Sequence, residues 1–352
     1  MHRALTTRIC ELFGVEYPIV QTGMGWIAGA RLVAATSEAG ALGIIASSTM
    51  SYDQLVGTIR TVKERTGKAF GVNIRSDAGD AGQRVDAIIR EGVKVASFAL
   101  APREELIKRL KDAGVVVLPS IGAKRHAEKV AAWGADAVIV QGGEAGGHTG
   151  PVATTLLLPQ IVDTVDIPVI GAGGFFDGRG LVAALSYGAA GIAMGTRFLL
   201  TEESTVPDSV KQYYLSKSVT DTVVTTKVDG VPHRVLRTPL VEELDHGTAL
   251  TRYPRAIRNA FAFKKLTGAS WSTLARDGIA MKKGHELGWD QVLMAANTPM
   301  LLKAALVDGN VDSGVMSSGQ VVGLIDALPS AGDVVRRVIA EADAVLTRLG
   351  VA

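Results

Sequence analysis

The run Pro168-Val169-Ile170-Gly171-Ala172-Gly173-Gly174-Phe175-Phe176-Asp177-Gly178 and its successor Gly191-Ile192-Ala193-Met194-Gly195-Thr196-Arg197 decide the reading of this chain. Each is a short apolar segment ending in glycine, and the first opens into a stretch of helical spacing through Leu185. An apolar strand, a glycine turn and a helix in immediate succession are the βα unit of parallel sheets. Glycine at such a turn lets backbone approach an anion closely, and a helix N-terminus offers unpaired N–H groups at the positive end of its dipole. The second turn adds the hydroxyl of Thr196 and the guanidinium of Arg197. One glycine turn alone is a tight connection and no more. Two at the seventh and eighth strands of one sheet predict a phosphate cradle, because barrels place such sites there.

Eight apolar or β-branched runs recur at 18–21, 42–46, 69–73, 95–99, 115–119, 137–140, 168–171 and 191–194. Stretches with helical spacing of apolar residues lie between them, such as 52–65, 83–90, 103–112 and 123–133. Several strands are too uniformly apolar to have a wet face, which a parallel sheet covered by helices requires. Eight cycles favour closure, so the fold expected is an α/β (β/α)₈ TIM barrel. The alternation stops near Thr205, and a different texture runs to about Pro299, with Tyr213-Tyr214, a Thr-rich stretch at 219–226 and helical segments carrying Trp271 and Trp289. The division expected is a main barrel at 1–205, a smaller, mainly helical insertion domain over the barrel mouth at 206–299, and a return to the barrel at 300–352 closing with a helix over 331–349.

The bulk numbers are consistent with this and remove other classes. The 352 residues are 47% hydrophobic and 20% charged, enough for a large core and far from a disordered composition. A net charge of +2 with both signs interspersed gives no footprint for nucleic acid. Cys10 is the only cysteine, so there is no internal disulfide and no multi-cysteine metal site, and a reducing, cytoplasmic setting is expected. The N-terminal segment is charged throughout and the apolar runs are short, so neither a signal peptide nor a membrane span is expected. A homo-oligomer is compatible with the sequence.

A third glycine-rich strand end, Gln141-Gly142-Gly143-Glu144-Ala145-Gly146-Gly147-His148-Thr149-Gly150, follows strand six. Its glycines let backbone wrap a planar ligand with an imidazole at the edge, and His148 is the candidate acid/base because imidazole exchanges protons near neutral pH. The other histidines, His2, His126, His233, His246 and His285, read as surface or packing residues. After the first strand comes Gln21-Thr22-Gly23-Met24-Gly25-Trp26, whose small residues would leave amides facing a ring edge, and after the third comes Asn73, able to donate and accept. No metal is expected.

Together these strand ends resemble the nitronate monooxygenase family of FMN-dependent barrels, a family that includes FMN-dependent enoyl-acyl-carrier-protein reductases. The resemblance spans 14–215, with a weaker match at Ser318-Gly319-Gln320. It implies FMN held by Gln21, Thr22, Gly23, Met24, Asn73, Gln141, Gly146, Gly147, Gly171, Gly173, Gly174, Gly195, Thr196 and Gln320, and His148 at the position of the family's catalytic histidine. The segment through Trp26 is closer to the reductases' QGGMAW than to the QAPMAG of nitronate oxidisers, so Trp26 is expected to shape the substrate pocket. The nearest resemblance is to a subgroup of bacterial steroid catabolism acting on a coenzyme A thioester of the C/D-ring remnant. It implies flavin-linked desaturation, or reduction, beside a carbonyl. A coenzyme A partner needs cations for its phosphates, and Arg255 and Arg258, three apart and able to share a helix face in the basic stretch with Arg252, Lys264 and Lys265, are the candidates, a solvated basic helix face being the alternative. Nitronate oxygenation and NAD(P)H-dependent enoyl reduction are the rival oxidoreductase readings, and a flavin-free isomerase or lyase binding a substrate phosphate is the rival of another class. An inosine monophosphate dehydrogenase-like enzyme would need a nucleophilic cysteine after a strand, whereas Cys10 precedes the first.

Overall fold

The computed structural model describes residues 2–99, 102–246, 261 and 297–351. Eight parallel strands close into a barrel in the order β1 (Ile19–Gln21), β2 (Leu42–Ala46), β3 (Phe70–Arg75), β4 (Val95–Ala99), β5 (Val116–Ile121), β6 (Val138–Gln141), β8 (Val169–Ala172) and β9 (Gly191–Met194). Closure is made by β1 against β9, in the register Ile19↔Ile192, Val20↔Ala193 and Gln21↔Met194. The strand between β6 and β8, β7 (Gly147–His148), belongs to a separate sheet.

The strand period of two sorts side chains into two cores. Val20, Leu42, Ile44, Val95, Val116, Leu118, Ile139, Ile170, Ala172 and Ala193 form one buried cluster, and the helix α1 (Arg8–Phe13) adds Ile9 and Phe13 to it. Their neighbours, among them Ile45, Val72, Phe98, Val117, Val138 and Ile192, pack outward with the helices. The surrounding helices are α2 (Ala30–Glu38), α3 (Tyr52–Arg65), α4 (Ala81–Arg90), α5 (Glu104–Asp112), α6 (Lys124–Ala132), α7 (Thr154–Val162) and α8 (Gly178–Ser186). Local signals place their starts: Ser51 and Gln54 form a reciprocal capping box on α3, and the Asp177 side chain caps α8.

The eighth helix of the ring is not the short α9 (Thr196–Leu199) but the last helix of the chain, Ala331–Arg348, which packs against α8 and α2. It lies so close to α8 that a Cβ on Gly178 would sit 2.3 Å from the Ala342 amide nitrogen. Between α9 and that helix the chain makes α10 (Asp208–Leu215), β10 (Thr222–Thr225), β11 (His233–Leu236), α11 (Pro239–His246) and a helix at Asn297–Leu306. Two strands therefore accompany the helices of the segment that the sequence reads as mainly helical, and with β7 they form a three-stranded antiparallel sheet in the order β10-β11-β7. Val228, Val235, Leu240, Val241, Leu244, Leu301 and Val315 give this excursion a small core of its own. Among the described residues no helix is long and apolar enough to cross a membrane.

Barrel closure leaves no room at one glycine. A Cβ on Gly191 would lie 2.4 Å from the Pro18 carbonyl oxygen and 2.6 Å from Ile9 Cδ1. Gly191→Ala is expected to destabilise the protein by ~1–3 kcal/mol, the usual cost of overpacking, read as a lower denaturation midpoint at unchanged slope.

Candidate active site

The carboxyl ends of the strands interlock into one rim. Gly23, after β1, is so close to Asn73 that a Cβ would sit 2.6 Å from the Asn73 Cβ, and Asn73 Nδ2 in turn donates to Ser97 Oγ at 3.2 Å. A Cβ on Gly195, after β9, would face Thr22 Oγ1 at 3.2 Å and Met24 Sδ at 3.5 Å. Gln21 is fully buried, its amide nitrogen donating to the carbonyls of Ile44 and Thr22 while Oε1 has no partner among the described residues. Thr196 Oγ1 accepts from the Gly319 amide at 2.9 Å, and the Gln320 amide donates to the Glu144 carbonyl at 3.0 Å, so 318–320 bridges the ends of β9 and β6. Gly146 touches the same bridge, where a Cβ would lie 2.5 Å from the Ser318 carbonyl carbon. Glu144 pins the loop by accepting from the Thr154 amide at 2.9 Å and hydroxyl at 2.7 Å.

Two groups that the sequence offers to a phosphate are engaged by the protein itself. The N-terminus of α8 is already satisfied by carboxylates, since the Gly180 amide donates to Asp177 at 3.0 Å and the Gly178 amide to Glu341 at 3.0 Å. Arg197, read from sequence as a phosphate ligand, is buried and gives Nη2 to the carbonyls of Leu200 at 2.5 Å and Ala327 at 2.9 Å. Burial, with Arg337 nearby, lowers its guanidinium to about 10. It ties the returning chain to the barrel instead. What is left at the seventh and eighth strand ends still suits an anion: the amides of Gly173 and Gly174 have no partner among the described residues, and α9 begins at Gly195 without a side-chain cap. Gly173 and Gly174 both have positive φ, 97° and 83°, a backbone that favours glycine. The glycine rim and these free donors fit the flavin phosphate that the sequence resemblance implies.

His148 is presented by the second sheet. Antiparallel pairing of β7 with β11 sets His148 opposite His233 and Gly147 opposite Arg234, which puts both imidazoles on one face with centroids 4.6 Å apart. Arg234 holds the glycine loop down by donating twice to the Gly143 carbonyl, at 3.1 and 2.9 Å, and Gln141 Nε2 donates to the His148 carbonyl at 2.6 Å. His148 Nε2 lies 2.6 Å from Asp229 Oδ2, where the imidazole side chain is 54% exposed and the carboxylate 4%. That same oxygen accepts from Thr298 Oγ1 at 2.5 Å and lies 3.6 Å from His233 Nδ1, while His233 Nε2 meets Ser317 Oγ at 2.7 Å.

His233 is thus no packing or surface residue, as its sequence context suggests, but a 1% exposed member of the site, and Asp229 and Ser317 join it unpredicted. The one local signal was Asp229-Gly230-Val231-Pro232-His233, a turn with an acid and an imidazole at its ends. Burial raises the Asp229 carboxyl, but the two imidazoles beside it outweigh that and hold it well below the usual carboxylate range. Burial lowers the His233 imidazole, the carboxylate opposes, and the neighbouring His148 adds to the lowering. Donor atoms of His148, Asp229 and His233 lie within 4.8 Å of one another, a set that a divalent ion accepts. The 2.6 Å contact is that of a charge-assisted hydrogen bond with a proton between the atoms, and Thr298 takes up more of the carboxylate, so the cluster is read as a hydrogen-bonded network.

Trp26 carries the only positive φ, 67°, among the described non-glycine residues. A bulky residue held there marks strain maintained by its surroundings. The holding contacts are its amide on Thr49 Oγ1 at 3.3 Å and its indole N–H on the Pro299 carbonyl at 3.0 Å. The first strand end is thereby fastened beside Thr298 and the Asp229 carboxylate. Arg255 and Arg258 lie outside the described residues.

The family model described as nitronate monooxygenase matches residues 6–84 and 77–341. The chain is 63% identical over 346 residues, covering 98% of each chain, to a (3aS,4S,5R,7aS)-5-hydroxy-7a-methyl-1-oxo-octahydro-1H-indene-4-carboxyl-CoA dehydrogenase of Rhodococcus jostii. It is 63% identical over 341 residues to the protein of that name in Mycobacterium tuberculosis, covering 96% of each. Among solved structures it is similar to FabK from Thermotoga maritima, with a TM-score of 0.79, 35% identity and 98% of both chains covered.

Because His233 is held less basic in the fold than in the unfolded chain, the unfolded state binds more protons below the ordinary value of 6.5. Stability is therefore complete above that pH and is lost as pH falls through it, with a slope of at most ~1.4 kcal/mol per pH unit from this group. Denaturant titrations from about pH 7.5 to about 5.5 should show the decline, and His233→Asn should flatten it.

Proposed function

The chain belongs to the nitronate monooxygenase family, and from that premise we propose that it is an FMN-dependent dehydrogenase that introduces a carbon–carbon double bond beside the carbonyl of a bicyclic coenzyme A thioester. That it is an oxidoreductase follows from the family and from relatives named dehydrogenases at 63% identity. The observation that carries the finer reading is the half-exposed His148 imidazole, backed by a buried carboxylate and set on the glycine loop after β6.

On this reading Gly173, Gly174, Gly195 and Thr196 hold the phosphate of FMN, and Gln21, Thr22, Gly23, Met24, Asn73, Gln141, Gly146 and Gly147 line its ring side. Bound FMN supplies the two-electron acceptor for a hydride leaving the carbon one further from the carbonyl. His148 removes the proton from the carbon next to the carbonyl, where the thioester makes it acidic. Trp26, fastened by Thr49 and Pro299, forms a fixed wall near the reacting carbons. Arg255 and Arg258 meet the phosphates of coenzyme A. The substrate belongs to the degradation of the last two steroid rings, and the single buried Cys10 suits a reducing cytoplasm.

Anaerobic mixing of the flavin-loaded protein with the thioester, with NAD(P)H or with a nitronate tests the reading. Prompt bleaching by the thioester is expected; bleaching by nitronate alone makes it an oxygenase, by NAD(P)H alone an enoyl reductase, and a colourless protein that refuses FMN returns it to flavin-free chemistry. His148→Ala should stay yellow and folded while turnover drops ~10²–10⁴-fold, the usual general acid–base contribution. Arg255→Ala with Arg258→Ala should weaken binding of the thioester measured by flavin perturbation; unchanged affinity removes the two arginines from the coenzyme A site.

A further inference from the structure

A carboxylate from outside the barrel meets His148, and a histidine and a threonine gather around that carboxylate. Asp229 comes from the connection between β10 and β11, His233 from β11 itself, and Thr298 from the Asn297–Leu306 helix. We infer that Asp229 is a positioning residue for His148: by accepting the Nε2 hydrogen it fixes the imidazole in one tautomer and leaves Nδ1 as the ring's basic atom. The inference deepens the proposed function and rests on the reading of His148 as the proton acceptor.

The geometry supports it step by step. The Nε2 to Oδ2 contact of 2.6 Å is short for nitrogen and oxygen, as expected when the acceptor is ionised. Asp229 is 4% exposed, so water does not compete for that oxygen. The carboxylate is fixed in turn by the Thr298 hydroxyl at 2.5 Å and the Val231 amide at 3.4 Å. His148 Nδ1 has no hydrogen-bond partner among the described residues, and the side chain is 54% exposed, so that atom is available to a substrate.

His233 does not displace His148 from the carboxylate. Its Nδ1 stays 3.6 Å away because Nε2 is anchored on Ser317 Oγ at 2.7 Å, and Ser317 is itself tethered through its carbonyl to the Tyr214 hydroxyl at 2.9 Å. A neutral His233 with hydrogen on Nδ1 points it towards Asp229 without reaching hydrogen-bond distance, while Nε2 can accept from Ser317. Tautomer control of this kind decides activity because a ring carrying its hydrogen on the wrong nitrogen cannot accept the proton from carbon.

The test uses the flavin-loaded full chain labelled with ¹⁵N-histidine, the His148 signals being assigned with His148→Ala. In the wild-type protein the His148 hydrogen should reside on Nε2 and exchange slowly with solvent, and in Asp229→Ala that protection should vanish. Asp229→Ala and the isosteric Asp229→Asn should lower kcat by at least ~10²-fold, with KM and flavin content little changed. The double variant His148→Ala with Asp229→Ala should be no slower than His148→Ala alone, since a residue acting through another has nothing left to contribute. A wild-type His148 with its hydrogen on Nδ1, or freely exchanging at Nε2, overturns the inference even if neither Asp229 variant folds. Additive losses in the double variant overturn it as well, because a merely structural role produces them. An inactive His148→Ala beside a fully active Asp229→Ala sinks this inference alone, whereas a fully active His148→Ala sinks the proposed function with it.

Discussion

The pairing of β1 with β9 is the constraint on which everything else rests. Three residue pairs turn an open sheet into a ring, and only a ring brings Thr22 and Met24 from the first strand end to Gly195 from the eighth. The closure holds because Val20 and Ala193 enter a packed interior that α1 also fills with Ile9 and Phe13. Each large aliphatic side chain buried there is worth roughly 1.5–3 kcal/mol. The glycine at the start of β9 is what lets the two backbones approach.

On that ring the chemistry is assembled by a second, much smaller sheet. β7 is two residues long and would not persist alone; it is held by β11 on one side and by Arg234, Gln141 and Glu144 through the glycine loop. The barrel therefore supplies the glycine rim, while the excursion supplies the carboxylate that meets the His148 imidazole. Arg234 couples the two, because its guanidinium reaches from β11 to the Gly143 carbonyl in the loop after β6 and to Thr222 on β10.

How far this was legible depends on whether a signal is local. The eight strands lie within about two residues of the apolar runs in the sequence, because burial on both faces of a parallel sheet writes itself into each run. His148 was legible for a similar reason: no other histidine lies in so glycine-rich a strand end. Asp229, His233 and Ser317 were not, since what unites them is an antiparallel register between segments far apart in the chain, and periodicity carries no record of partners. The misassignment of Arg197 has the same origin. Its position after a strand end is a local fact, but the carbonyls of Leu200 and Ala327 that take its donors belong to the tertiary fold.

The late position of the helix Ala331–Arg348 has a kinetic consequence. All eight strands and seven of the eight flanking helices are present by the time Ser186 and Met194 have been synthesised, yet the groove between α8 and α2 stays open until the whole excursion has followed. In that interval the nascent chain exposes the apolar surface that Val334, Val335, Val338 and Ala342 will cover. Contacts of such long sequence separation slow folding and leave intermediates prone to aggregate. During synthesis the chain must therefore carry an uncovered apolar cleft until its last helix arrives, so any factor that shields such a cleft should raise the yield of folded protein.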